Sequence, residues 1–303
     1  MSAEGVVLEF AQFGDFDSFD VIRSPTSMAA LADNALPAPI ATGLKTMYYV
    51  DNTVTLGGTY YYKIRVWRGA EFQVSDEIMV VAISDVPFEK VVALLNFEEG
   101  LVDVTGKRTW TSTDANVVKV IDTDLMFGSK ALSILGTTLG KYIYTEDSND
   151  FWFGVEDFGI EASIRLASTD SFHTILSQRL DNANQESFSF YYFSGNLVFE
   201  YSSNPIGNAV TYASAPMPIL TNTKYDVQCV RSGPDLILAC NGVELLRHNI
   251  GSAVIYNSTQ RVVCGQLNAS LTGGYFNGYI DELRVTKGYA PPIKQKTQPF
   301  QII

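Results

Sequence analysis

Several things are scarce in this chain, and each scarcity closes off a class of protein. Only Cys229, Cys240 and Cys264 occur in 303 residues, an odd set too small for the disulfide framework of many extracellular domains. Each stands in an apolar or alternating stretch, where a free thiol serves as a small buried hydrophobe. Histidine is rarer still. His173 and His248 show no His-Glu-x-x-His spacing, and no serine sits in a nucleophile elbow, so zinc hydrolysis and a Ser-His-Asp triad both lack their parts. Glycine-rich phosphate loops are missing too. No run of roughly 18 apolar residues is present, which leaves membrane insertion without a segment. The opening Met1-Ser2-Ala3-Glu4-Gly5 has neither the basic nor the apolar region of an export signal, so a chain made without an export tag is expected. Cationic side chains are outnumbered, 21 Lys plus Arg against 33 Asp plus Glu, for a net charge of −12. Such a chain repels phosphate backbones, which excludes nucleic acid as a partner.

What is present is strand. Apolar residues make up 46% and charged residues 18%, enough to bury a core. They recur at every second position in Tyr60–Trp67, Ile160–Leu166, Asn196–Tyr201 and Tyr225–Arg231, with turn formers such as Ser232-Gly233-Pro234-Asp235 and Asn241-Gly242 between. Helical periodicity is almost absent; Ser27 to Ala35 is short and runs into Pro37 and Pro39, which allows a loop or a single turn. The fold class is all-β. A boundary falls near Ser84 to Lys90, where one strand pattern ends and Val91-Val92-Ala93-Leu94-Leu95 begins another. The expected domains are 1–85, sized for a small sandwich, and 86–290, sized for a larger sandwich or jelly roll. Residues 291–303 form a Pro-rich tail that cannot hold a central strand and is expected to run along the outside or dangle.

Two family resemblances follow. In the first domain, Gly57-Gly58-Thr59-Tyr60-Tyr61-Tyr62-Lys63-Ile64-Arg65-Val66, followed by Val74-Ser75-Asp76-Glu77-Ile78-Met79-Val80, resembles the last two strands of a fibronectin type III domain. That likeness gives Tyr60 the corner role, its hydroxyl tied to backbone, and Leu56 stands where proline is usual. In the second, Leu94-Leu95-Asn96-Phe97-Glu98, Asp103-Val104-Thr105-Gly106, Phe127-Gly128-Ser129-Lys130-Ala131-Leu132, Phe151-Trp152-Phe153-Gly154 and Asp157–Ala162 come in the order of a laminin-G-like, concanavalin A-type jelly roll. Phe276–Thr286 closes it. Ser163 departs from the family's frequent tryptophan, and Tyr225-Asp226-Val227 from its Trp-x-His. Independently of the likeness, Asn241-Gly242 can take the positive φ angles of a type I′ hairpin turn, with Gly242 the structural residue. Ile280, Leu283 and Val285 supply a closing strand in which Asp281-Glu282 marks an irregularity or a site.

The closing segment Tyr279–Ala290 is also similar to laminin-G-like modules of tailed-bacteriophage structural proteins. A fold of extracellular type with neither export signal nor disulfides fits a virion, assembled in a reducing cytoplasm and released by lysis. The resemblance implies a non-enzymatic virion protein of the tail fibre or tail tip, self-associating, in contact with other virion proteins and attaching to bacterial surface glycan. A capsid decoration protein without ligand and a glycan-degrading spike are the alternatives.

Catalysis would need paired carboxylates on one strand face. Glu98-Glu99, Glu156-Asp157 with Glu161, and Asp281-Glu282 do not form a Glu-x-Asp-x-x-Glu ladder, so no enzyme is expected. The jelly-roll likeness implies a possible structural calcium, for which Asp103 and Asp281, with Glu98 behind, are the candidate ligands. For carbohydrate, the aromatic run Ser187–Phe193 offers a stacking platform. Alternation assigns Phe188 and Phe190 to the core, and Tyr191 and Tyr192 lead the ligand reading. Loops at Asn182-Ala183-Asn184 and Asn204-Pro205-Ile206-Gly207-Asn208 are equal candidates.

Overall fold

The computed structural model describes the chain apart from residues 1–5, 13, 56–57, 83–85, 124–125, 137–139, 170–171, 181–184, 204–209, 268–273 and 301–303. It divides into two compact units, Met1–Asp85 and Val86–Ile303. Both are built of strands. The stretch Ser27 to Ala35 contributes one 3-10 turn, Asp33–Ala35.

The first unit contains β1 (Val6–Glu9), β2 (Ser18–Ser24), β3 (Ala41–Leu44), β4 (Tyr48–Asp51), β5 (Thr59–Arg68), β6 (Glu71–Val74) and β7 (Ile78–Val81). β1 pairs with β4, and a second sheet runs β3-β2-β5-β6 with β7 also on β5. Val6, Leu8, Val21, Tyr62 and Ala82 form the core between them. Tyr62 reaches through that core to donate to buried Asp51 at 2.8 Å, which also receives Arg23 Nη1 at 2.8 Å. Burial alone would raise the Asp51 carboxyl, but hydrogen bonds from Thr53, Tyr62 and Arg23 hold it below its ordinary value. The hydroxyl of Tyr60 accepts from the Thr55 N–H at 2.8 Å, closing the turn into β5.

The second unit contains β8 (Val91–Leu95), β9 (Thr111–Ser112), β10 (Val118–Ile121), β11 (Ala131–Ile134), β12 (Ile143–Thr145), β13 (Phe158–Leu166), β14 (His173–Gln178) and β15 (Phe188–Phe193). It continues with β16 (Asn196–Ser202), β17 (Val210–Pro216), β18 (Lys224–Ser232), β19 (Asp235–Cys240), β20 (Val243–Asn249), β21 (Val262–Cys264) and β22 (Gly278–Lys287). One sheet has eight strands, β10-β11-β22-β13-β18-β19-β20 with β8 also on β22, and the other seven, β17-β16-β15-β14-β21-β12-β9. Their facing sides make a single core. Its centre is aromatic, with Phe153 stacked on Phe158 at 4.2 Å and Phe188 and Phe199 packed against them. Cys229, Cys240 and Cys264 are free and buried. Burial raises all three thiols, Cys240 to about 11, so they pack as apolar groups.

β22 breaks its own period. Opposite β13, Arg284 pairs with Glu161 and Asp281 with Ser163, so β22 carries one residue more than its neighbour. Glu282 absorbs it at φ 52°. The resulting bulge lets Ile280, Leu283 and Val285 all reach the core although their spacing is not two.

The tail from Ala290 to Phe300 runs along the outer face of the eight-stranded sheet. Gln228 holds it by donating to Pro292 O at 3.1 Å and accepting from Lys294 N at 3.4 Å. The N–H of buried Phe300 donates to Glu282 Oε2 at 2.6 Å. The hairpin Asn241-Gly242 between β19 and β20 has φ angles of 49° and 75°, and a Cβ on Gly242 would lie 2.3 Å from Gln295 N. Only glycine satisfies both the turn and the passing tail.

Beneath the tail lies a buried ion pair, Arg284 Nε to Glu161 Oε2 at 2.7 Å, with Gln228 donating to Glu161 Oε1 at 3.0 Å and the Phe300 ring 3.6 Å from the guanidinium. Removing one member of such a pair strands the other in a dry site. Arg284→Leu is expected to cost about 3–5 kcal/mol in urea unfolding. The double variant Glu161→Leu/Arg284→Leu should cost less than Arg284→Leu alone, and additive losses would refute this account.

Candidate functional site

The candidate site is a cleft of about 530 Å³ on the outer face of the seven-stranded sheet. Three neighbouring strands supply it through simple alternation. The turn Ser194-Gly195, with φ angles of 46° and 81°, joins β15 to β16 and sets Tyr191 opposite Val198 and Ser189 opposite Glu200. β17 extends the rows, Val198 facing Ser214 and Glu200 facing Tyr212. Leu197, Phe199, Ala213 and Ala215, the intervening residues, point into the core.

Aromatic rings form the walls. Tyr212 is 55% and Phe193 40% exposed. Phe172, just before β14, stacks on Phe193 with centroids 4.0 Å apart and an interplanar angle of 21°, and lies 5.0 Å from the Tyr191 ring. The floor is polar and paired. Arg179 Nη1 binds Glu200, and Arg179 Nη2 lies 3.5 Å from Glu186. Tyr191 donates to Glu200 Oε2 at 3.2 Å. Burial, and after it the Glu200 charge, push the Tyr191 phenol well above its ordinary value, so it stays a donor.

This arrangement separates the two expected ligand tyrosines. Tyr191 faces the cleft, but Tyr192 is 2% exposed and belongs to the core beside Leu197. Adjacent strand residues face opposite sides of a sheet, so the two cannot share a ligand. The loops at Asn182–Asn184 and Asn204–Asn208 lie outside the described residues. Phe172, Phe193, Tyr212 and Ser214 were not singled out from the sequence, nor were Arg179, Glu186 and Glu200. Alternation from the core residues Phe188 and Phe190 could have found Phe193; nothing in the spacing of the others brings them together.

The calcium candidates do not fit an ion. Asp103 Oδ1 accepts from Leu94 N and Thr105 N, each at 3.0 Å, and Oδ2 from Thr105 Oγ1 at 2.8 Å. Asp281 accepts from Phe127 N at 2.9 Å and Glu282 N at 2.8 Å, and Glu98 from Ser129 N at 2.8 Å. Their oxygens already terminate backbone turns. Among the described residues no group of three or more His, Cys, Asp or Glu side chains is arranged to hold a metal. The other acids considered for chemistry are also placed: Glu161 is in its ion pair with Arg284, and Glu156 sits 3.4 Å from Lys287. His173 is buried, its Nδ1 accepting from Asn277 N at 3.2 Å.

A laminin-G-type family model, described as the concanavalin A-like lectin/glucanases superfamily, matches residues 136–289. No curated protein matches the chain by sequence. Among solved structures, the binding domain of Paraclostridial Mosquitocidal Protein 1 is similar at TM-score 0.52 and 15% identity over 69% of this chain and 50% of that one. The binding domain of botulinum neurotoxin DC, solved with rat synaptotagmin II, is similar at 0.50 and 14% over 69% and 49%. Domain 4 of AbnA, an extracellular arabinanase of Geobacillus stearothermophilus solved with arabinotriose, has a TM-score of 0.49 and 18% identity over 67% and 94%. The chain thus spans about half the length of the two toxin domains. At these identities the likeness is one of fold.

Asp281 yields a pH prediction. Burial is the largest influence on it and, with the Glu282 charge beside it, outweighs the Phe127 N–H, pushing Asp281 up to about 7. An unfolded aspartate titrates near 4, so between about pH 4 and 7 the folded state keeps a proton that the unfolded state has released. Stability therefore falls as pH rises through that window, by about 4 kcal/mol for this group. Asp281→Asn should flatten that part of the profile in urea unfolding from pH 4 to 8. An unchanged slope would rule the assignment out.

Proposed function

The chain belongs to the concanavalin A-like lectin/glucanases superfamily, and from that premise we propose that its second unit is a non-enzymatic carbohydrate-binding module that meets surface glycan through the aromatic cleft. One observation carries this reading: Tyr212, Phe193 and Phe172 gather around one cleft on a single sheet face. Aromatic faces stack on the C–H faces of sugar rings, and a few polar groups then fix orientation. Against catalysis stands the state of the two nearest carboxylates, Glu186 and Glu200. They share Arg179, which engages both where an acid and a nucleophile would have to face a glycosidic oxygen.

Within this reading the protein serves a tailed-bacteriophage virion, at the tail fibre or tail tip. The first unit acts as a fibronectin type III-like spacer, and repeated copies in contact with other virion proteins raise avidity from weak single sites. What supports it is the likeness of Tyr279–Ala290 to phage laminin-G-like modules, the corner hydrogen bond of Tyr60 in the first unit, and three buried cysteines that need no oxidising compartment.

A glycan array probed with the full chain tests the reading. Tyr212→Ala and Phe193→Ala are each expected to weaken binding about three- to tenfold while leaving the urea midpoint in place. Undiminished binding by both variants would remove the cleft from the reading. Release of new reducing ends from bacterial surface polysaccharide would make the protein an enzyme instead, and antibody labelling of particles other than at the tail would move it within the virion.

A further inference from the structure

We propose that the cleft is built for an uncharged oligosaccharide and turns acidic glycans away; this rests on the carbohydrate-binding reading above. The argument is about which donors the cleft has left to offer. A sugar carboxylate, sulfate or phosphate needs a cation or a set of spare donors. Of the described residues lining the cleft, Arg179 alone is cationic. Its guanidinium is committed on two sides, Nη1 to Glu200 and Nη2 toward Glu186, and both carboxylates are buried. Turning it toward a ligand would strand two negative charges in a dry floor. The Tyr191 hydroxyl, the next donor, already serves Glu200 at 3.2 Å. The floor carries two carboxylates against one guanidinium, so an anionic ligand meets net negative charge.

The walls act in the same direction. Tyr212 and Phe193 are exposed aromatic rings, and ring faces carry the negative side of the aromatic quadrupole and so favour a C–H surface over an anion. At longer range the chain's net charge of −12 slows the approach of acidic polymers. An uncharged pyranose meets none of these penalties. It has an apolar face for each ring and hydroxyls for the exposed Ser214 side chain. Tyr212 and Phe193 stand on strands two spacings apart, about 10 Å across the sheet, and four residues apart in register, about 13 Å along it, so a ligand bridging them is a short oligosaccharide, not a single ring. A volume of about 530 Å³ accommodates this.

The test is an array carrying neutral hexose and N-acetylhexosamine oligomers together with sialylated, uronate-containing, sulfated and phosphorylated ones. It is probed with the full chain and with Tyr212→Ala, whose side chain is on the surface. The expected result is that uncharged glycans make up the bound set, and that each binds at least about tenfold more tightly than its acidic counterpart. Tyr212→Ala should weaken that binding about three- to tenfold, and affinity should change less than about twofold between low and high salt. A bound set dominated by acidic glycans, weakened in Tyr212→Ala, would overturn the inference and leave the carbohydrate-binding reading standing. Binding that weakens steeply with salt, or that is undiminished in Tyr212→Ala, would overturn the inference too. An array with no bound glycan would remove both.

Discussion

A strand shows alternate residues to opposite sides of its sheet, and the second unit depends on that period being kept in every strand but broken in β22. Strict alternation from Ile280 would send Glu282 and Arg284 into the core and leave Leu283 and Val285 outside. The left-handed conformation at Glu282 shifts the phase by one residue, so Leu283 and Val285 face inward while Asp281, Glu282 and Arg284 face outward. β22 is hydrogen-bonded to β8, β11 and β13. A slip there would turn charged residues into the middle of the sandwich.

Re-phasing the strand creates a second requirement. It puts Arg284 and Glu282 on an outer sheet face beside Glu161 of β13, where solvent would separate and weaken their interactions. The tail covers them. Pro292 and Lys294 are tied to Gln228, Phe300 donates to Glu282 and stacks on Arg284, and Lys296 lies 3.1 Å from the Phe300 ring centroid and 3.8 Å from Glu282 Oε2. Burial lowers Lys296 to about 8, with the Glu282 charge opposing. The segment is thus part of the packed unit although it forms no strand. Of the departures from the laminin-G pattern, Ser163 belongs to this same outer face, whereas Tyr225 and Val227, which stand where Trp-x-His is common, pack on the core side. Ser163 and Asp226 stand opposite each other on β13 and β18, and Ser163 Oγ donates to Asp226 Oδ1 at 2.6 Å. Ser163 leaves no gap in the core, because it does not point there.

Period-two reading of the sequence locates strands well wherever both neighbours are regular. Tyr60–Trp67, Ile160–Leu166, Asn196–Tyr201 and Tyr225–Arg231 each fall inside an observed strand, and the Asn241-Gly242 turn declares itself by residue type. The all-β class and the jelly-roll landmarks were legible for the same reason: they are local patterns in the right order. The site was legible only in part. Alternation already implied that Tyr191 and Tyr192 face opposite ways, since Phe188 and Phe190 belong to the core. Glu200, however, meets Arg179 across a separation of 21 residues and Tyr212 across a strand pair. Such pairings are set by sheet order and register, which no local pattern encodes. The metal candidates are ambiguous for the opposite reason. Asp103-Val104-Thr105 reads equally as a ligand-bearing turn and as a self-capped one, and which it is depends on whether backbone N–H groups such as that of Leu94 take up the oxygens.

The two outer faces of the sandwich therefore have different fates. On the eight-stranded sheet, charged and amide side chains are sealed by the chain's own tail, and the small residues Gly159 and Gly242 let it approach; a Cβ on Gly159 would lie 2.1 Å from Pro291 Cγ. On the seven-stranded sheet, the corresponding positions of β15, β16 and β17 carry serines, aromatic rings and one ion-paired floor. The cleft they form has Tyr212 and Phe193 exposed at its walls. A ligand-binding role belongs on the face whose buried charged groups are already paired within the sheet while its rings remain exposed, because stacking on those rings then requires no buried charge to be uncovered. The period that builds the core is also what lines the cleft, and a substitution that shifts the phase of β15 or β16 would exchange core rings for cleft rings.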